Sequence, residues 1–557
     1  MEYVYIMIGI VLFLVIKSRY DAKVKLSQLH EKLRQAWGDI PEEEYTSEKF
    51  ESIKKYYLSI QDEQKDIDDI TYNDLDFKEI FMLMNNTGSA IGEEYLYALL
   101  RKPVFLEKEL LERNRLMNFF TNHEEERLKL QTSFALMGKL NRLSIFEYIN
   151  RTDNIIPINM GKEYLLSLGL LASIICIFFQ PLIGGLLTVS LLVINILTYF
   201  KQKAEIESYF TVFSYILSLL KEIKEIRKLG IKEIEDYTKV YEEADKAFKK
   251  FQKGSTLVVG GNSMSGDLAD VVLDYLRMLF HIDIIKFNTM LKTLRKNREL
   301  LNQLYESIGY LDSMIAAASF REQIDYYCEP RLISGGKPYL KVEDVFHPLL
   351  EEPVANSIHG NKSVLITGSN ASGKSTFIKT MAINAILSQT IYTSVSREYE
   401  ASYFRVFSSM ALKDDIFSNE SYYMVEIKSL KRILDKMDGE IPILCFVDEV
   451  LRGTNTLERI AASTQILRNL ADGNTLSFAA THDIELTHIL EKDYENYHFT
   501  EKVKDNDILF DYKLYSGRAV SRNAIKLLEL LGYSDDITRK ANQLANEFLT
   551  NGTWTQG

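Results

Sequence analysis

The chain has little of what marks secreted or disordered proteins. Its three cysteines, Cys176, Cys328 and Cys445, stand far apart in 557 residues with no metal-like spacing. That excludes a disulfide framework and reads as reduced thiols of a cytosolic protein. Nine prolines and the lack of any low-complexity tract argue against long disordered linkers. Positive charge is in the minority, with 66 Lys and Arg against 78 Asp and Glu and a net charge of -12. A broad electrostatic footprint for nucleic acid is therefore missing, although a local basic patch is compatible with that balance. What is present is length, enough for two to four domains each with its own core, and long runs without charge.

The first such run covers residues 3–16 (YVYIMIGIVLFLVI), with Lys17, Arg19, Lys23 and Lys25 directly after it. A cleavable signal carries its positive charge before the apolar run and small residues after it; here Glu2 precedes and no such site follows. Residues 1–20 read as a retained anchor with a basic cytosolic flank. A helix lying in the interface is the alternative, because the run is short for a span. From Tyr164 to Phe200 there is again no charged residue. A single helix of that length would run to about 55 Å, nearly twice a bilayer's hydrocarbon core. Pro181 and Gly184-Gly185 offer a break, so 161–203 reads as a transmembrane hairpin with both ends cytosolic beside Lys162, Lys201 and Lys203. A buried hairpin inside a soluble core is the alternative. The expectation is a multi-pass cell-membrane protein, held by three helices, with its soluble parts cytoplasmic.

Residues 21–160 and 204–335 are mixed in charge with apolar spacing near 3.6, the pattern of helices. Phe287, Met290, Leu291 and Leu294 fall at i, i+3, i+4, i+7, and Leu301, Leu304, Tyr305 and Ile308 continue the stripe. The Thr-Gly at 87–88 and the Arg-Lys-Pro at 101–103 frame one amphipathic helix. Gly254–Gly266, rich in glycine and serine, reads as a loop.

The chemistry gathers further on. Val364, Leu365 and Ile366 lead into Gly368-Ser369-Asn370-Ala371-Ser372-Gly373-Lys374-Ser375-Thr376, and an apolar helical pattern follows. This is G-x-x-x-x-G-K-[ST] between strand and helix, the loop that cradles a nucleoside triphosphate. Glycines let backbone N–H groups turn toward phosphates, and the next helix presents its positive end. Lys374 would reach the β/γ-phosphates and Ser375 would ligate Mg²⁺. The apolar run 443–447 ends in Asp448-Glu449, a buried strand with two carboxylates at its tip. Asp448 would hold Mg²⁺ through its hydration shell, and Glu449 would deprotonate the attacking water. His482, after a further apolar segment, would sense the γ-phosphate.

The set GSNASGKST, Asp414-Asp415, Ser421-x-x-Met424-Val425-Glu426, DEVLRGTNT and ATHD, in this order and spacing, resembles the ATPase domain of the DNA mismatch-repair MutS family. His347-Pro348-Leu349 and Pro353-x-Ala355-Asn356 are similar to its beginning, and Tyr512-Lys513-Leu514 through Ala541 to its closing strand and helical dimerisation segment. The likeness covers roughly two thirds of the chain. It implies an α/β ABC-type P-loop ATPase domain at 336–520, a dimerisation segment at 521–557, and an all-α lever domain at 21–160 and 204–335 interrupted by the transmembrane hairpin. It also implies ATP and Mg²⁺ as cofactors, a homodimer, Ser421 reaching the γ-phosphate in trans, and Asn356 as an adenine contact. Val354 departs from the family's aromatic, and Asn419-Glu420 from its Gly-Arg pair. The mismatch-reading domain has no room before residue 70. The reading is a membrane-anchored ATPase that moves levers, with DNA as a candidate partner. The alternatives are a membrane DNA tether and, less favoured, an ABC-type transport or signalling component.

Overall fold

A computed structural model describes residues 2–155, 158–255, 275–369, 372–410, 422–437, 439–504, 507–519, 525, 528–529 and 532–551. The chain forms two compact units. One holds Met1–Gln61, Met84–Leu99 and Arg115–Gln323; the other holds Asp62–Leu83, Leu100–Asn114 and Ile324–Gly557. Segments 62–83 and 100–114 therefore belong with the second unit, where the sequence placed all of 21–160 in the lever part. Polar anchors explain the difference. The Asp74 carboxylate accepts from Ser408 Oγ at 2.7 Å and from the Met410 N–H at 2.9 Å. Arg432 donates to Asp68 at 2.7 Å, and the Val104 N–H donates to the Gln389 carbonyl at 2.8 Å. These partners lie hundreds of residues apart, so no periodicity reports them.

The first unit is helical. Glu2–Gln35 is one helix, so the expected anchor runs on past residue 20 without a break. Met160–Ile177 and Pro181–Leu229 form the hairpin. Pro181 opens the second helix, where its missing N–H would have no intrahelical partner anyway. Gly184 and Gly185 lie inside that helix rather than at the turn. A Cβ on Gly184 would stand 2.5 Å from the Ile177 backbone nitrogen, while one on Gly185 would meet open space. Neither Pro nor Gly occurs from 186 to 229, and the stripe Tyr199, Ile206, Phe213, Ile216, Leu220 and Ile223 stays buried. The helix thus continues through the expected boundary at 203 for 49 residues, ending at left-handed Gly230. Near the turn, Phe178, Phe179 and Leu182 are 78 to 84% exposed. Among the described residues, Met160–Ile177 and Pro181–Glu207 are long and apolar enough to cross a membrane.

Helices Ile282–Lys296 and Arg298–Gln323 bury Phe287, Met290, Leu291, Leu294, Leu301, Leu304, Tyr305 and Ile308, the face that their spacing predicts. Helix Ala90–Arg101 starts on a buried carboxylate: Asp312 accepts from the Gly88 and Ser89 N–H groups and from Ser89 Oγ, at 2.6 to 3.0 Å. A negative group there satisfies orphan donors and favours the positive end of the helix. Most of Gly254–Gly266 lies outside the described residues.

The second unit holds two sheets. Strands β1 (Arg331–Ile333), β2 (Leu340–Val345), β3 (Asn356–Gly360) and β5 (Glu398–Ser402) form one, in the order β1-β5-β2-β3. The larger sheet uses β4 (Ser363–Thr367), β6 (Arg405–Ser409), β7 (Ile443–Asp448), β8 (Thr475–Ala480), β9 (Tyr494–Lys504) and β10 (Asp507–Ser516), in the order β10-β9-β4-β8-β7-β6. All neighbours are parallel except β9 and β10. Strands β4 and β8 are buried at every position, and β7 at all but its tip. This is why they read as continuous apolar runs: a parallel sheet is covered on both faces. Each large side chain buried there contributes about 1.5–3 kcal/mol.

Candidate nucleotide site

Strand register assembles the site. Ile366 and Asp448 both pair with Ala480, so β4, β8 and β7 end on one line. Thr367 then leads into the phosphate loop, Asp448 into Glu449, and Ala480 into Thr481-His482. Ligands in open α/β sheets bind at such carboxyl edges. The backbone locks this edge: the Thr481 N–H donates to the Ile366 carbonyl and the Glu449 N–H to the Ala480 carbonyl, both at 3.0 Å.

In the loop, Gly373 has φ +106, which only glycine adopts freely, and it precedes helix Lys374–Thr390. Lys374 is buried, and its ammonium donates to the Gly368 and Ser369 carbonyls at 2.9 and 2.8 Å. Burial pushes its pKa down, with Asp448 and Glu449 opposing. Ser369 Oγ donates to Glu501 at 2.9 Å. Asn370 and Ala371 lie outside the described residues, as does Ser421, so the trans contact lies there too. Among the described residues Ser372 Oγ is buried without a hydrogen-bond partner, and Thr376 lines the adjoining cavity.

Ser375 Oγ donates to Asp448 Oδ2 at 2.5 Å, while Asp448 Oδ1 is buried with no hydrogen-bond partner among the described residues. An orphaned carboxylate oxygen beside a hydroxyl suits a hard cation that takes oxygen ligands. The residues present fit Mg²⁺. Glu449 lies between a histidine and an arginine: His482 Nε2 stands 2.7 Å from one carboxylate oxygen and Arg452 pairs with the other. Burial raises the Glu449 pKa, but the hydrogen bond and charge of His482, then Arg452, outweigh it and hold the carboxyl below its usual value. It is therefore an ionised acceptor at neutral pH.

Two residues of this turn carry backbone strain: Glu449 has φ +52 and Leu451 has φ +60. Non-glycine residues in this region cost about 1–2 kcal/mol each, so the turn needs outside support. Glu426, a buried carboxylate whose pKa is raised by burial, accepts the Leu451 N–H. Asn455 caps helix Thr456–Leu470 by accepting from the Glu458 N–H at 3.0 Å. Arg459 of that helix grips Asp483 through two bonds at 2.9 and 2.7 Å, which fixes the segment carrying His482.

Beside the loop opens a cavity of about 340 Å³ lined by His347, Val354, Asn356, Phe377, Phe499 and Tyr512, among others. Burial pushes the His347 pKa down to about 4, so its ring is neutral. The Leu349 N–H donates to Nδ1 at 3.3 Å, which places the proton on Nε2. Sequence reasoning singled out Asn356 here but gave no role to Phe499 or Tyr512. Their signal, an aromatic in each of two strands, is too common to mark a site.

Residues 364–549 match MutS domain V. The DNA mismatch repair protein MutS of Natronomonas pharaonis is 29% identical over 281 residues, 48% of this chain and 32% of that protein. Human MutS protein homolog 4 is 30% identical over 313 residues, 51% of this chain and 32% of that protein. MutS of Thermotoga petrophila is 24% identical over 378 residues, 63% of this chain and 47% of that protein. These similarities support the MutS family. The aligned part is about a third to a half of each of these relatives, and the domain V match takes in Lys374, Ser375, Asp448, Glu449 and His482.

Proposed function

We propose that this chain is a membrane-anchored, MutS-like ATPase that works as a homodimer and couples its nucleotide cycle to motion of the helical unit. The observation that carries the proposal is the convergence of Lys374, Ser375, Asp448, Glu449 and His482 at one sheet edge. Lys374 exchanges its two carbonyl partners for β/γ-phosphate oxygens. Mg²⁺, held by Ser375 and Asp448, would neutralise phosphate charge when bound. Glu449 takes a proton from the water as its oxygen attacks the γ-phosphorus; the bond to the bridging oxygen breaks, giving ADP and phosphate. His482 orients Glu449 and faces the γ-phosphate side. Ser421 would complete the pocket from the second subunit, as the resemblance implies.

Membrane attachment rests on the hairpin, where large apolar side chains such as Phe178, Phe179, Leu182 and Leu186 are exposed, and on the uncharged run 3–16. We place the soluble parts in the cytoplasm by the positive flanks. DNA binding has less support in the helical unit. In the clusters at 221–232 and 292–298, Lys221, Lys224, Arg227 and Lys228 pair with nearby carboxylates, and Arg295 and Arg298 pair with Asp153.

The test is ATP turnover by protein purified in detergent. Glu449→Gln should bind ATP and lose at least a hundredfold in rate. Equal hydrolysis by the variant sinks the site assignment, and recovery of the chain in the aqueous fraction after cell lysis sinks the membrane half.

A further inference from the structure

The cations at the ends of the uncharged runs face outward. Glu2–Gln35 is one helix, so Lys17, Arg19, Lys23 and Lys25 follow the run 3–16 on the same rigid rod. All four are exposed, and none has an ion-pair partner among the described residues. Asp21 is the sole carboxylate from 17 to 30. At about 1.5 Å per residue the run reaches about 21 Å, short of a hydrocarbon core of about 30 Å, so Lys17 and Arg19 are drawn to headgroup depth. A helix lying in the interface would bring them to the same headgroups.

The mouth of the hairpin repeats the pattern, and there burial sorts the charges. Gln202 Nε2 donates to Glu163 Oε1 at 2.8 Å, so the two helices stand level at that point, and the neighbouring Lys162 and Lys201 are both exposed. The carboxylates of this level turn inward. Glu163 is buried against His281, and buried Asp283 accepts from Tyr199 Oη at 2.8 Å with Lys203 Nζ 3.7 Å away. The outer surface is left positive here, since Glu205 and Glu207 lie about 6 and 9 Å beyond Lys201 along the helix. Exposed aromatics accompany the cations: Tyr20 beside Arg19, Tyr164 near Lys162 and Phe200 beside Lys201. Amphipathic aromatic rings gather at the level of lipid headgroups.

We propose that Lys17, Arg19, Lys23, Lys25, Lys162 and Lys201 bind the phosphate groups of anionic phospholipids. Charge complementarity carries the inference: exposed cations without protein partners stand at headgroup depth, while the nearby acids are buried and engaged. The attraction is worth about fivefold per cation at the surface and fades within a Debye length of about 10 Å. Lys17 and Arg19, within about 5 Å of the end of the run, therefore act more strongly than Lys23 and Lys25, about 11 and 14 Å from it. The inference rests on the membrane reading above and deepens it by naming the class of lipid.

The experiment places the full chain in vesicles with spin-labelled phosphatidylglycerol or phosphatidylcholine and measures the share of each lipid immobilised at the protein. With salt at about 0.02 M, phosphatidylglycerol should associate about threefold more strongly, and the ratio should fall toward one at about 1 M. Lys17→Gln/Arg19→Gln should about halve the ratio, Lys162→Gln/Lys201→Gln should lower it too, and Lys23→Gln/Lys25→Gln should change it least. All these side chains are exposed, so each variant should melt within about 2 °C of the unaltered chain. A ratio of one in the unaltered chain, a ratio indifferent to the variants, or release of the labelled lipid by millimolar inorganic phosphate or duplex DNA would each overturn the inference. A chain that alkaline carbonate strips from the vesicles sinks the membrane reading itself, which is a different failure.

Discussion

Replacing Gly92 by alanine would drive a methyl group into the buried junction of two helices. The added Cβ would stand 2.1 Å from Asp312 Oδ2, 2.5 Å from Cγ and 2.8 Å from Cβ. Rotating the carboxylate does not suffice, because the Asp312 Cβ is itself too close. Helices Ala90–Arg101 and Arg298–Gln323 must separate, or Asp312 must release the three donors it holds, the Gly88 and Ser89 N–H groups and Ser89 Oγ. Hydrogen bonds to a charged group contribute about 1.5–3 kcal/mol each, and partial re-formation should leave a net loss of about 3–5 kcal/mol. For a unit of this size that corresponds to a fall in melting temperature of about 6–15 °C, read by far-ultraviolet circular dichroism in detergent. Gly309 is the reciprocal site, where a Cβ would stand 2.6 Å from the Tyr95 Cβ, and its alanine variant should behave alike. Adding Asp312→Ala to Gly92→Ala should recover part of the loss, since the clash goes with the carboxylate. A fall of less than 2 °C for both glycine variants would refute close helix contact as the reason for these glycines.

The adjacent hairpin glycines should differ sharply: Gly184→Ala lowers thermal stability in detergent because it meets Cys176 and Ile177 backbone, whereas Gly185→Ala is neutral or stabilising by up to about 1 kcal/mol. Equal effects would contradict the packing at the turn. Stability should fall as pH rises: burial pushes the Glu94 pKa up to about 8 and that of Asp312 up to about 6, so the folded state binds these protons more tightly than the unfolded one. The contribution is complete below the unfolded value near 4.5 and is lost as pH rises to about 8, at about 1.4 kcal/mol per unit; Glu94→Gln should flatten that slope in melts between pH 5 and 8. Removing a cation from Glu449 raises its pKa, so Arg452→Gln should move the acid limb of the ATPase profile to higher pH, and an unmoved limb would show that Glu449 does not set it.

How much of this the sequence disclosed follows from how local each signal is. Strands β4, β7 and β8 announced themselves because burial on both faces leaves almost only apolar residues, and their polar tips are motif residues at fixed offsets. Register does the rest, since Asp448 opposite Ala480 brings Glu449 to His482. The hairpin break was legible to within a few residues because proline has few places in a helix. Elsewhere the same rules misled. Gly184-Gly185 reads as a turn, yet Gly184 serves close backbone approach within a helix, and nothing in the sequence separates those uses of glycine. The segments at 62–83 and 100–114 kept a helical pattern while belonging with the sheet unit, because single polar contacts such as Asp74 to Ser408 decided their place.

Tyr512 shows the limit most clearly. Its place at the cavity depends on a register slip, a left-handed backbone and an amide far upstream, three facts that exist only after the strands have paired. The same dependence explains how Asn356 reads as a base contact from the sequence: a residue whose amide bonds to its own fold and one whose amide touches a ligand occupy the same kind of position along the chain. Only the direction of the amide separates them, and in this fold it points to β10.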